Sequence, residues 1–106
     1  MKQFKDLFGN PIRLSEERYS HLLDAHPEMK GQLNRMRLTL LTPEWIIRSN
    51  SDSDVVLYYK NFVKTKVGNK YLCIVVKILQ NDYYVLTAYF TDTIKRGEII
   101  WHRKRK

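Results

Sequence analysis

The chain has 106 residues and a formal net charge of +8, from 19 Lys and Arg against 11 Asp and Glu. This length allows one compact domain, and an apolar fraction of 43% argues against a chain that is disordered throughout. The single cysteine, Cys73, excludes an intramolecular disulfide and a cysteine-rich zinc site.

No apolar run approaches the roughly 18 residues that a membrane-spanning helix needs. The first ten residues also lack the apolar stretch of a secretory signal peptide. We therefore expect a cytoplasmic protein with no membrane partner, unless the chain is a domain of a larger secreted toxin.

The positive charge is concentrated near the C-terminus. Residues 95–106 contain six basic residues and one acid, or +5, and residues 1–94 contain 13 basic and 10 acidic residues, or +3. Such a charge favours phosphate polymers and anionic surfaces. We expect one domain at 1–102 and a basic tail at 103–106. We also expect the positively charged residues after residue 94 to be mobile and to steer phosphates towards the protein. A solvated tail that only aids solubility explains the charge equally well.

The first half of the chain predicts a short lead-in and two helices. A turn at residues 8–11 (Phe-Gly-Asn-Pro) lies between two short apolar segments, which fits a small hairpin or an irregular lead-in. Ser15 is a candidate N-cap, and the helix it starts should end near His26, because the residue before a proline avoids the helical region. Pro27 then suits the first turn of a second helix that ends before Pro43, with Gly31 as its weak point.

The second half predicts strands at residues 45–48, 55–63, 71–79, 83–91 and 98–102. Polar turns separate them, and Gly68-Asn69 is the strongest hairpin signal. Strands joined by such tight turns are antiparallel neighbours. We therefore predict an α+β domain in which N-terminal helices pack on a small antiparallel sheet of about four strands.

Alternation along residues 83–91 divides this strand into two faces. Tyr84, Leu86, Ala88 and Phe90 are predicted to face the core, and residues 83, 85, 87, 89 and 91 the free face. In residues 71–79 the core set is Leu72, Ile74, Val76 and Ile78. A free face with tyrosines, hydroxyls and lysines suits stacking of bases and binding of phosphates, although ordinary cross-strand pairs would give the same pattern.

The chain has three histidines, His21, His26 and His102. Cleavage of RNA without a metal needs groups that take a proton from the 2′-hydroxyl and give one to the leaving oxygen, and histidine can do both near neutral pH. His26 lies on the apolar stripe of its helix, which by spacing alone favours a packing or capping role. His21 lies off that stripe, where a functional or a plain surface histidine fits equally. Their spacing misses that of a helical zinc motif, and no glycine-rich phosphate loop is present, so we expect neither metal nor cofactor.

Several segments, taken in order, resemble the phage-associated barnase–EndoU–colicin–RelE-like nuclease domains. They are residues 9–29 with the pattern H-x-x-x-x-H-P-E, residues 40–47 with T-P-E, residues 58–60 (Y-Y-K), residues 75–77 (V-V-K) and residues 86–91 with T-A-Y. The resemblance spans roughly residues 8–100. It implies helices packed on a small antiparallel sheet and a metal-independent ribonuclease, used as a toxin or by a phage.

The resemblance also implies roles for individual residues. His21 would be the general acid/base, His26 belongs to the same motif and serves either catalysis or structure, and Thr87 and Tyr89 would bind the scissile phosphate. The implied partners are RNA and an acidic antitoxin or immunity protein. The alternatives are an RNA-binding module without catalysis and a protein-interaction module of the same fold. The candidate substrate-binding residues are Arg18, Lys60, Lys77 and Arg103.

Overall fold

The structure is a computed structural model that describes residues 2–104. The predicted basic tail at 103–106 thus lies partly outside the described residues. Within the described residues the fold comprises two α-helices, a 3-10 turn and seven strands. They are β1 (Lys2–Lys5), β2 (Pro11–Leu14), α1 (Glu16–Ala25), the 3-10 turn (Pro27–Met29), α2 (Leu33–Leu41), β3 (Trp45–Ser49), β4 (Val55–Thr65), β5 (Gly68–Leu79), β6 (Asp82–Thr91) and β7 (Gly97–His102).

The strands form one mixed sheet in the order β1-β2-β6-β5-β4-β3-β7. All neighbouring pairs are antiparallel except β2 and β6, which run parallel. The predicted fold, helices on an antiparallel sheet of about four strands, is therefore wrong. The β1–β2 hairpin extends one edge beyond the predicted meander, and β7 extends the other edge beyond β3. Tight turns predict only the pairing of strands that follow each other in sequence, so the hairpin and the last strand have a local signal, but their placement beside β6 and β3 has none.

The first helix forms where the sequence predicts it. The Ser15 hydroxyl accepts a hydrogen bond from the Arg18 amide at 3.1 Å, and the helix ends at Ala25, before Pro27. The predicted second helix is wrong in its first half. Gly31 has a φ of +79°, a left-handed value that glycine adopts readily and that ends helical geometry. Only a 3-10 turn precedes it, and α2 begins at Leu33.

The main core lies between the helices and one face of the sheet. The predicted core face of β5 is confirmed, since Leu72, Ile74 and Val76 are fully buried there and Ile78 packs against them. At one end of this core the Asp6 carboxylate is buried. Asp6 accepts hydrogen bonds from the Tyr58 hydroxyl at 2.7 Å and from the Asn10 amide at 2.8 Å. These bonds join the β1–β2 turn to the centre of the sheet.

A β-bulge at Leu86 changes the faces of β6. Val75 pairs with Thr87, but the next residue, Val76, pairs with Val85, so Leu86 is the extra residue. The predicted alternation is therefore right for residues 87–90 and wrong before the bulge. Val85 belongs to the helix-side core, and Tyr84 lies on the opposite face, because one inserted residue exchanges the two faces of all residues before it.

Residues 92–96, the crossover segment, connect β6 to β7 across the sheet face opposite the helices. Its Ile94 side chain packs against a second buried cluster that includes Ile47, Leu57 and Cys73. The Lys95 amide donates to the Tyr59 hydroxyl at 3.1 Å. The centre of this predicted free face is therefore covered.

Candidate functional site

His26 lies immediately after α1, beside a stretch of β6 that, within the described residues, has a strand partner only on its β5 side. Within residues 2–104, β2 pairs with β6 only at Tyr83 and Tyr84, so the rest of this β6 edge is left to α1, which packs along it. From there His26 approaches Tyr89, with ring centroids 5.5 Å apart and planes inclined by 32°. The structure thus brings the histidine at the end of α1 into contact with β6, the strand that contains the T-A-Y pattern.

Glu28 lies beside the imidazole. Its Oε2 is 3.7 Å from His26 Nδ1, and both side chains are about two-thirds buried, with 33% of His26 and 28% of Glu28 exposed. At this distance the two atoms are too far apart for a hydrogen bond, so the structure shows a close approach of the Glu28 carboxylate to the imidazole.

Tyr89 lies over the second buried cluster, in register with Cys73, which in turn pairs with Tyr59. Burial, followed by the neighbouring Cys73, raises the pKa of Tyr89 and of Tyr59 above the ordinary tyrosine value. The Tyr89 hydroxyl is therefore protonated at neutral pH and acts as a hydrogen-bond donor. Burial also raises the pKa of Cys73 to about 11, so this thiol is not a nucleophile.

A cleft of about 410 Å³ opens beside Tyr89 on the same face. Thr87 and Tyr89 form its β6 wall, Lys95 and Arg96 come from the crossover segment, and polar residues 49–52 line the opposite side. The Asn50 side-chain amide donates to the Arg96 carbonyl at 3.2 Å, which ties the polar loop to the crossover segment. We call this cavity the basic cleft; its lining includes two cations, the hydroxyl residues Thr87 and Tyr89, two serines and the acid Asp52.

Among the predicted site residues, the structure brings together His26, Thr87 and Tyr89. His21 and Arg18 lie exposed on α1. The His26–Tyr89 ring contact has no counterpart for His21 within the described chain. The geometry therefore favours His26 over His21 as the functional histidine.

The predicted substrate-binding residues do not form one group. Lys60 belongs to the helix-side face, where its Nζ donates to the Thr42 carbonyl at 2.8 Å. Lys77 shares the face of the basic cleft, but its Nζ lies 2.7 Å from Asp52 Oδ2, so an acid neutralises it. Arg103 follows β7 and is exposed, with its amide bound to the Glu44 carbonyl.

Sequence reasoning missed Glu28, Lys95 and Arg96. Glu28 follows His26-Pro27 directly and belongs to the H-P-E pattern, but that pattern alone assigns it no role. Lys95 and Arg96 are predicted only as part of a mobile C-terminal charge. That expectation is wrong for residues 95–102, since these residues form the end of the crossover segment and β7. Nothing local in the sequence indicates that residues 92–96 cross the sheet.

Comparisons with family models, with curated proteins and with solved structures found no match to this chain. Neither helix within residues 2–104 is long and apolar enough to cross a membrane. In the same residues, no three His, Cys, Asp or Glu side chains cluster as ligands of a metal ion.

Proposed function

We propose that this protein is an endoribonuclease that cleaves RNA through attack of a 2′-hydroxyl on the adjacent phosphorus. The observation that supports this most is the contact of His26 with Tyr89, because Tyr89 also lines the basic cleft and Glu28 lies 3.7 Å from His26 Nδ1. An acid–base group, a neutral hydroxyl donor and two cations are the components that transesterification of RNA requires.

The proton movements balance with the groups present. His26 Nε2 takes the 2′-hydroxyl proton, while the Tyr89 hydroxyl gives its proton to the leaving 5′-oxygen. The His26 imidazolium then returns a proton to Tyr89. The products are a 2′,3′-cyclic phosphate and a 5′-hydroxyl, and the enzyme ends in its starting protonation state.

The basic cleft supplies the charge stabilisation that the phosphorane needs. Lys95 and Arg96 line the same cleft as Thr87, and donors fixed before the reaction stabilise developing charge most effectively. Lys77 contributes less, because Asp52 already compensates its charge.

The test is cleavage of a defined RNA in excess EDTA, with analysis of the ends of the products. We expect cleavage to leave 2′,3′-cyclic phosphates and 5′-hydroxyls, and we expect a substrate with a 2′-deoxy sugar at the cleaved position to resist. Cleavage of that deoxy substrate, or a requirement for added metal, would contradict the mechanism. Salt-sensitive RNA binding without any product would instead indicate the non-catalytic RNA-binding alternative.

A further inference from the structure

A second cavity lies on the other side of the crossover segment and is mostly apolar. Its volume is about 290 Å³, near the lower end of the range of roughly 300–1,000 Å³ for small-molecule pockets. We call it the apolar pocket. Its lining includes Trp45, Ile47, Ile94, Lys95, Arg96 and Ile99.

We propose that the apolar pocket binds a single nucleobase of the RNA substrate. This inference rests on the proposed function and extends it, because it assigns a place to a base as well as to the cleaved phosphate. The observation that supports this proposal most directly is that Trp45 lines the pocket. Trp45 is partly buried, and an indole that lines a small apolar cavity is suited to stacking on a base.

The Trp45 ring is held in place from the neighbouring strand. His102 stacks on it, with ring centroids 5.1 Å apart and planes inclined by 26°. This contact follows from the pairing of Trp45 with His102 in the β3–β7 ladder. A ring that is already oriented loses little freedom when a base binds, which favours affinity.

Lys95 and Arg96 connect the two cavities, since both residues line the apolar pocket and the basic cleft. A nucleotide whose phosphate contacts these cations can place its base in the apolar pocket while the adjacent phosphodiester lies in the basic cleft. An apolar peptide side chain would use the pocket lining but would leave the two cations without a counter-charge. A nucleotide uses both, which is why we assign the pocket to a base.

The test compares ligands that carry the same phosphate with and without a base. The full-length chain is titrated calorimetrically with the four ribonucleoside 5′-monophosphates and with ribose 5-phosphate. None of these contains a phosphodiester, so binding is independent of cleavage. We expect at least one nucleotide to bind about tenfold or more tightly than ribose 5-phosphate, from stacking on one aromatic ring. Equal affinities would overturn the inference.

Two tryptophan variants locate the binding. Trp45→Leu should lose the preference for the nucleotide. The control is Trp101→Leu, which changes the second tryptophan, located on the helix-side face, and should keep the preference. In the Trp101→Leu protein the remaining indole is Trp45, so saturable quenching of its fluorescence by the nucleotide but not by ribose 5-phosphate is expected. An unchanged preference in folded Trp45→Leu, or no quenching in Trp101→Leu, would also overturn the inference. If Trp45→Leu does not fold, the quenching decides.

These outcomes separate the two proposals. Preferential nucleotide binding that depends on Trp45, in a protein that does not cleave RNA, supports the base pocket and removes the proposed catalysis. Cleavage of RNA by a protein that binds ribose 5-phosphate as well as any nucleotide removes the base pocket alone.

Discussion

The imidazole of His26 and the phenol of Tyr89 are in contact, with ring centroids 5.5 Å apart, although they belong to opposite halves of the chain. The contact depends on the edge of β6, which lacks a strand partner beyond Tyr84 within the described residues. A strand added along that edge would separate the helix end from the cleft face. The limited β2–β6 pairing therefore positions the candidate site.

Tyr89→Phe tests the role of the hydroxyl separately from that of the ring. The phenyl ring retains the packing against His26, but the protonated donor is lost. We expect RNA cleavage to fall about 10- to 100-fold, with little change in thermal stability. Tyr84→Phe is the matched control on the same strand and face, where Tyr84 lies under Arg13. Full activity in Tyr89→Phe would remove the hydroxyl from the mechanism.

The double variant Lys95→Ala/Arg96→Ala tests the two cations of the crossover segment. We expect weaker RNA binding and a slope of log K against log salt that is reduced by up to about 1.4 on single-stranded RNA, since each phosphate contact contributes about 0.7 to that slope on a single strand. The control removes two exposed lysines of the β4–β5 hairpin, Lys64 and Lys66. If both double variants change the slope equally, RNA binding is not localised at the basic cleft.

Asp6→Ala tests the polar junction between the β1–β2 turn and the sheet. The substitution leaves the buried Tyr58 hydroxyl and the Asn10 amide without their acceptor. We expect a loss of about 3 kcal/mol in the free energy of unfolding, measured by urea denaturation. Asp24→Ala, which changes an exposed acid on α1, should stay within about 0.5 kcal/mol of wild type. If the two variants have the same free energy of unfolding, the hydrogen bonds of Asp6 do not stabilise the fold.

Gly97→Ala tests the close approach of β7 to β3. A Cβ at Gly97 would overlap the Arg48 carbonyl oxygen and approach the Ile47 side chain to 2.7 Å. We expect β7 to shift and unfolding to become easier by about 1–3 kcal/mol. The control is Ile100→Ala, which also introduces alanine into β7 but at an exposed position. A Gly97→Ala protein as stable as wild type would show that the two strands can separate at little cost.

The features that sequence reasoning predicted are those that depend on neighbouring residues. The Ser15 cap, the helix end before Pro27 and the meander of β4, β5 and β6 follow from short-range chemistry. Even there, turn positions shift. Thr65 pairs with Gly68, so the hairpin tip lies at residues 66–67, before the predicted Gly68-Asn69 pair, and Gly68 supplies a φ of +94° beside it.

The features that it missed depend on residues far apart in the chain. The parallel pairing of β2 with β6 and the placement of β7 outside β3 have no periodicity of their own. The bulge at Leu86 is also set by the partner strand, because the repeat of residues 83–91 shows no interruption. For the site, the sequence indicated Thr87 and Tyr89, but the choice between His21 and His26 required the path of α1 along β6.

The comparison of His26→Ala with His21→Ala tests the central claim most directly. Both variants remove a histidine from the same short segment, but only His26 contacts Tyr89 and lies beside Glu28. Rates of RNA cleavage in excess EDTA should fall by at least about 100-fold in His26→Ala and stay within about twofold of wild type in His21→Ala. Wild-type cleavage by His26→Ala, with loss in His21→Ala, would contradict the proposed site.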